Sequence, residues 1–430
     1  MNLIHRSIWN DQTGTFVAVS EITRSAGKKI SSCTAAAGTG SSFSLKILAV
    51  SLMMACGAGV HAQPVGGVVS AGSATIGGTP GNMTITQTTP NVAINWQSFG
   101  VRAGESVQFV QPGSSSVALN RVIGSDPSNI LGSLTANGKV FLVNPNGILF
   151  GAGASVNVGG LVASTLAISD ADFMANNYKF SGAGAGSVLN QGTINAADGG
   201  YVALLGANVS NQGVIAAQLG TIALAAGEAV TLDMAGDKLL NVTVDQGALN
   251  ALVENGGMIR ADGGQVLLTT QAAGSLLANV VNNTGVIQAQ TLVTGENGTI
   301  RLLGGTQSGT LNVAGTLDAS APTGGNGGAI ETSAARVNIA SGVILTTAAP
   351  SGTTGTWLIS PQDFTVGSLS TDNISGPTLS AQLVTNSVTI STAAAGGGDI
   401  HVNNAIAWTA SSTPTTLSLL ADGNVNINQP

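Results

Sequence analysis

The sequence predicts an all-β fold: a parallel β-helix, or solenoid, with a β cap at its amino end, preceded by a long cleavable signal region. Three observations carry this. Glycine supplies 60 of the 430 residues, while Lys, Arg, Asp and Glu together supply only 8%. The glycine recurs inside Asn-rich turns between short apolar runs: LNQGTINAADGGYVALLG (189–206), VSNQGVIAAQLGTIALAAG (209–227), VENGGMIRADGGQVLLTT (253–270) and VNNTGVIQAQ (281–290). Asn190 and Asn211 stand 21 residues apart, the length of one coil of strands. Finally, hydrophobic residues reach 43% but aromatics only 3%, so Val, Ile, Leu and Ala must fill a narrow stacked interior. Glycine without a three-residue period excludes collagen, and a mean hydropathy of +0.35 with apolar alternation argues against disorder. A chain built this way presents a long ordered surface and no enclosed pocket, which favours display or binding over catalysis.

The leader comes first. Residues 46–62 read KILAVSLMMACGAGVHA, an apolar run behind Lys46, Lys28 and Lys29 that ends on a small-residue cleavage site. Cleavage is expected after Ala62, with the Sec translocon and signal peptidase as partners. The run is too short to span a bilayer. Both cysteines, Cys33 and Cys56, lie in the leader, so the mature chain has no Cys-based metal or nucleophile chemistry. Five basic and two acidic residues also precede residue 63, leaving eight basic against eighteen acidic ones. That surface repels phosphates, and nucleic acid is excluded as a partner.

Ahead of the apolar run stands MNLIHRSIWNDQTGTFVAVSEITRSAGKK (1–29), with Ile4, Arg6, Ile8, Trp9 and Asn10 followed by TGTFVAVSE (13–21). This pattern resembles the extended signal peptide of type V-secreted exoproteins and autotransporters of Gram-negative bacteria. The resemblance implies an extension that tunes inner-membrane export and is removed with the signal peptide.

Residues 63–175 form the first mature domain. GNMTITQTTPNVAINWQSFGVRAGESVQFVQPG (81–113) alternates polar and apolar residues between breaks at Pro90, Gly104 and Pro112-Gly113, as successive strands would. Asn137-Gly138 is a tight-turn pair. Asn144, Pro145, Asn146 and Gly147 make another turn: Pro145 fixes φ, Asn146 or Gly147 takes positive φ, and the Asn side chains bond nearby backbone. Val140, Leu142, Ile148 and Phe150 are expected to face the lumen.

The same stretch carries LNRV (119–122), LTANGKVFL (134–142), Asn144, Pro145, Asn146, Gly147 and Ile148 as an NPNGI run, and GGLVASTL (159–166). It resembles the two-partner-secretion domain of filamentous-haemagglutinin-like exoproteins. A second Asn-Pro-Asn motif of some relatives is absent, which places the chain in the less adhesin-typical branch. The resemblance implies a right-handed parallel β-helix with an N-terminal cap. It also implies recognition by the periplasmic domains of a cognate outer-membrane β-barrel transporter, with Asn144, Pro145, Asn146, Gly147 and Ile148 as the secretion motif.

Repeats follow over 176–345. Each coil begins Asn-x-Gly and returns on strands such as 202–205, 222–224, 266–268 and 300–303. Spacing widens to 28 between Asn255 and Asn283 and to 29 between Asn283 and Asn312, so loops are inserted, at 231–252 and 320–328. The second, Gly-rich, reads as a mobile protrusion. Residues 346–430 read as further repeats: GTWLISPQDFTVG (355–367) introduces more coils, and Ile427 is expected to face inward. The chain reads as the N-terminal part of a longer product. Helical periodicity is confined to a short stretch near 169–178.

Candidates for chemistry are few. His401 is the only histidine after the leader, read as a lone surface or corner residue. Asp198, Asp262 and Asp318 recur in successive coils, but they sit at turns, lack a Glu or Arg partner in register, and do not match the nonapeptide of calcium-binding coils. No metal, cofactor or enzymatic activity is expected. The preferred reading is an exported, adhesin-like surface or secreted exoprotein, with a β-helical stalk and a host or bacterial surface receptor as partner. The alternatives are the N-terminal part of a contact-dependent toxin and a β-helix enzyme that cleaves polysaccharide.

Overall fold

The computed structural model describes residues 63–430 except 183, 185, 234–239, 272–278, 293–296, 393–397, 412 and 430, and in the leader the strands His5–Asn10 and Thr15–Ser20. The two leader strands form an antiparallel pair with Trp9 opposite Phe16. Ala62 lies outside the described residues.

Beyond the leader, three long sheets of thirteen, eleven and eight strands run through the chain. From Val117 to Thr346 each coil gives one strand to each sheet. Lys139–Val143 enters the thirteen-stranded sheet, Ile148–Phe150 the eight-stranded and Ser155–Val158 the eleven-stranded, and Gly160–Ser164 returns beside Lys139–Val143. The pairing is parallel from coil to coil, and the fold is a right-handed parallel β-helix. Its amino end is capped by antiparallel pairs: Val68–Ala71 on Asn91–Trp96, and Ala74–Thr79 on Asn82–Gln87. Such pairs cover edges that would otherwise template another chain.

Alternation along each strand sets the lumen. Val140, Leu161, Val202, Ile222, Val266, Ile300, Ile330 and Trp357 stack in register down its centre, none more than 1% exposed. Leu142, Ile148 and Phe150 share the same core, as the alternation predicts. The column that runs through Leu142 and Leu302 carries polar Asn120 and Thr332. Each accepts the indole N–H of a tryptophan from a neighbouring coil, Trp96 at 3.0 Å and Trp357 at 3.0 Å. A buried indole N–H without a partner costs about 1–3 kcal/mol, so these polar residues are what make tryptophan tolerable inside the solenoid.

The Asn-x-Gly repeat has a physical meaning. Asn190, Asn211, Asn255 and Asn283 are buried and form a ladder in which each Nδ2 donates to the Oδ1 of the next at 2.8 Å. The glycine two residues on lets coils stack: a Cβ on Gly213 would lie 2.1 Å from the Gly192 carbonyl, and one on Gly257 2.2 Å from the Gly213 carbonyl. Here one expected register shifts. Asn283 stands opposite Val313, not Asn312, and its Nδ2 donates to the Ala314 carbonyl at 2.8 Å. Asn312 instead joins an outer ladder between Asn282 and Asn338.

Both inserted loops carry defined contacts. The first carries the hairpin of Ala229–Asp233 with Asn241–Gln246, which pairs with Tyr178–Ser181. With the short helix α1 (Asp170–Met174) it covers the outer face of the thirteen-stranded sheet. Phe141 lies at the centre of that second core, 5.2–6.1 Å from the rings of Phe173, Tyr178 and Phe180. The Gly-rich 320–328 segment is anchored, contrary to its composition. Ala321, Gly327 and Gly328 are buried, and their N–H groups bond Ala348, Thr353 and Ala319 carbonyls. A second helix, α2 (Gly376–Leu383), has no counterpart in the apolar period. Ile427 stands on the inward column, in register with the buried Val402 and Val366, and is 64% exposed. Among the described residues no helix is long and apolar enough to cross a membrane.

Candidate functional site

The corner formed by Asn144, Pro145, Asn146 and Gly147 joins the thirteen-stranded to the eight-stranded sheet. Gly147 N–H donates to the Asn144 carbonyl at 3.1 Å, closing a turn with Pro145 and Asn146 at its two central places. Gly147, not Asn146, takes the positive φ, at 113°. Asn144 is fully buried and bonds in two directions. Its Oδ1 accepts from Asn146 N at 3.0 Å and Asn146 Nδ2 at 3.1 Å. Its Nδ2 donates to the Asp126 carbonyl at 2.9 Å and to Ser128 Oγ at 3.0 Å, in the coil before. Asn146 Nδ2 also reaches the Gly124 carbonyl at 2.9 Å, while Gly186 N–H donates to Pro145 O at 3.2 Å. Ile148 is buried in the lumen. Pro145 and Asn146 remain exposed.

Asn137 and Gly138 form a coil corner rather than a hairpin. Asn137 exchanges two 2.8 Å bonds with the Gln111 backbone, and Gly138 N–H meets Gln111 Oε1 at 2.9 Å.

The neighbouring LNRV run supplies a clamp that patterning alone did not identify. Arg121 donates to Asn95 Oδ1 at 2.9 Å, to the Ile168 carbonyl at 2.7 Å and to Asp170 Oδ1 at 2.7 Å, tying the solenoid to the start of α1. Burial pushes the Asp170 carboxyl up, but hydrogen bonds from Arg121 and Ser70 and the Arg121 charge outweigh it and hold the group below its ordinary value. The only sequence signal for this pairing is the motif itself, because its partner lies 49 residues away.

The other titratable candidates stay apart. Asp198 is an exposed turn residue. Asp262 is buried and, contrary to expectation, has a cationic partner: Arg260 Nε lies 2.7 Å from it, and Gln288 Nε2 donates to it at 2.9 Å. Asp318 accepts from Gln290 Nε2 at 2.7 Å and Ser320 Oγ at 2.6 Å. His401 Nδ1 faces the Asn426 amide at 3.3 Å. Among the described residues no group of three His, Cys, Asp or Glu could hold a metal ion.

This corner and cap can be set beside known proteins. Residues 61–318 match the model of the TPS secretion domain, and residues 1–50 that of the extended signal peptide of the type V secretion system. The chain belongs to the two-partner-secretion (TPS) family. It is 34% identical over 252 residues to a heme/hemopexin-binding protein of Haemophilus influenzae strain Rd, covering 56% of this chain and 27% of that one. A second heme/hemopexin-binding protein of Haemophilus influenzae is 32% identical over 248 residues, covering 52% and 26%. The chain thus spans about a quarter of the length of the curated relatives it matches. The crystal structure of the HMW1 secretion domain from Haemophilus influenzae superposes with a TM-score of 0.58 at 23% identity, over 85% of this chain and all of that one, and shares the fold. As a TPS member the protein is an exported exoprotein, secreted or associated with the outer membrane and cell surface. Its domain implies a cognate outer-membrane transporter and processing by the Sec machinery and signal peptidase.

Proposed function

We propose that residues 63–175 target the chain to its outer-membrane transporter, with the turn of Asn144, Pro145, Asn146, Gly147 and Ile148 as the recognised feature. The coils over 176–345 and 346–430 travel as cargo and form an adhesin-like stalk that carries the binding surface for a receptor. Cleavage after Ala62 frees the mature chain.

One observation carries this reading. Three hydrogen bonds of the turn lie wholly within residues 144–147: Asn146 N and Nδ2 to Asn144 Oδ1, and Gly147 N to Asn144 O. Local bonds of this kind form without the rest of a fold. The turn therefore has the same shape in an extended chain crossing the periplasm and in the finished solenoid, where Pro145 and Asn146 stay exposed.

Asn144→Asp and Asn144→Ala separate recognition from folding. Aspartate keeps the acceptor for Asn146 N but loses the donor to Asp126 and Ser128, whereas alanine loses both. Release from cells carrying the cognate transporter is expected to stay near wild type for Asn144→Asp and to fall at least tenfold for Asn144→Ala, although both destabilise the purified chain. Release that follows stability in both variants would overturn the proposal and leave the motif a packing feature.

A further inference from the structure

The solenoid changes character at one level, where two of its three sheets stop. The eleven-stranded sheet ends at Ile344–Thr346 and the eight-stranded sheet at Arg336–Ile339, while the thirteen-stranded sheet continues through Thr356–Ser360, Ser387–Ser391 and Leu417–Leu420. A buried strand edge must find partners for its N–H and carbonyl groups. At this level no strand among the described residues supplies them for the eleven-stranded sheet.

Two amides supply them instead. Gln382, on α2, accepts from Leu345 N at 3.2 Å and donates to the Val343 carbonyl at 3.3 Å. Asn386, just past the helix, accepts from Thr347 N at 2.6 Å and donates to the Leu345 carbonyl at 3.1 Å. Each amide thus offers one acceptor and one donor to the edge, as a peptide group of the next strand would. Gln382 is 7% exposed and Asn386 fully buried. Leu379 and Leu383 of α2 close the lumen from the same side.

The eight-stranded sheet is closed by a single residue. Asn373 donates its Nδ2 to the Val337 carbonyl at 2.8 Å, and its own carbonyl accepts from Ile339 N at 2.8 Å. Beyond it a new three-stranded sheet begins: Phe364–Val366, Ile400–Val402 and Val425–Ile427. The far side of α2 meets loops rather than strands. Gly376 N donates to Asn404 Oδ1 at 2.8 Å, and Thr415 Oγ1 donates to the Leu383 carbonyl at 2.6 Å.

We infer that α2 is an internal cap, a strand mimic that divides the solenoid into two units joined by one continuous sheet. The coils up to residue 346 are closed by Gln382, Asn386 and Asn373 and open as one unit; residues from 387 onward open as another. In a stacked repeat protein, coupling between neighbours is the sum of their interface terms. Losing strand pairing in two sheets of three makes this interface the weakest along the axis, and cooperative opening divides where coupling is weakest. The cap also keeps the first unit from templating the strands of a second copy while the rest of the chain is still unfolded.

Hydrogen exchange of the exported chain, followed by mass spectrometry in rising denaturant, tests this without any substitution. Peptides from 387–429 are expected to lose protection at least tenfold faster than those from 188–346. Equal rates on both sides of α2 overturn the division. The double variant Gln382→Leu and Asn386→Leu then tests the mimic, since leucine fills the space without bonding. Exchange in the peptide covering 343–348 is expected to rise at least tenfold while that covering 221–226 is unchanged. A variant whose 343–348 peptide stays as protected as wild type shows that packing, and not amide mimicry, caps the edge, and it overturns that part of the inference.

Discussion

One column of the thirteen-stranded sheet passes through two regions of very different character. Reading outward-facing residues in register, it runs Phe141, Val162, Ala203, Ala223, Leu267, Arg301 and Glu331. The first four are fully buried beneath α1 and the outer hairpin, Leu267 is half-buried, and Arg301 and Glu331 form a 2.7 Å ion pair in water. The lumen side is the same throughout. Backbone pairing and interior packing therefore do not distinguish the early coils from the later ones; what lies outside the sheet does. Gly160–Ser164 and Thr221–Ala226 are buried at every residue, whereas Thr299–Leu303 alternates, because only the early strands have cover on both faces.

The contrast is sharpest for Phe141. Phe141→Ala is expected to destabilise the exported chain by about 3–5 kcal/mol in a denaturant titration, the range for truncating a fully buried aromatic ring. A loss under about 1 kcal/mol would mean that the outer layer adds little and that the two regions differ only in appearance. The Asn ladder crosses both regions and predicts a smaller loss. Asn211→Ala leaves Asn190 Nδ2 and Asn255 Oδ1 without their best partners, an expected destabilisation of about 2–3 kcal/mol. If Asn211→Ala is neutral, water or rotation rescues the ladder and the Asn-x-Gly period matters through its glycine alone.

The clamp between Arg121 and Asp170 belongs only to the early region, and pH reveals it. The Asp170 carboxyl lies below its ordinary value in the folded chain. Its stabilising contribution is therefore present above the unfolded value near pH 4 and lost as pH falls through the folded one. Between about pH 5 and pH 2 the wild type is expected to lose more stability than Asp170→Asn, by about 0.5–1 kcal/mol for a partly exposed pair. Parallel acid profiles would show that α1 is held by its apolar contacts alone. The smallest effect is expected in the later region: Glu331→Gln removes an ion pair with one side chain 47% exposed and changes stability by about 0.5 kcal/mol or less, falling with added salt. A larger loss would give the later coils an outer structure that their exposure conceals.

Period and composition carried the solenoid, and the alternation around Val140 and Leu142 oriented its lumen. The turn at Asn144 was legible because its bonds are local. What escaped was non-local or replaced a rule with a substitute. Tyr178–Ser181 finds its antiparallel partner at Ala229–Asp233, a pairing no coil period encodes. The shift between Asn312 and Val313 was hidden because a carbonyl, Ala314 O, replaces an Asn side chain at the end of the ladder. The eight residues of α2 are too few for an apolar period, though Ser375 as N-cap with Pro377 in the first turn is a start signal the sequence does hold.

The antiparallel cover has a consequence in time. Phe141 sits on a strand that is complete at residue 143, yet Val230 and Leu232 of its roof arrive some ninety residues later, on the hairpin that ends at Gln246. Whenever the chain is delivered from its amino end, Phe141 first meets Phe173, Tyr178 and Phe180, and for the rest of that interval Tyr178–Ser181 waits for the strand that pairs with it. A chain stopped near residue 180 would lack that partner strand. The hairpin thus marks arrival: its docking registers that the chain as far as Gln246 has come through, and from that moment the early strands are dry on both faces.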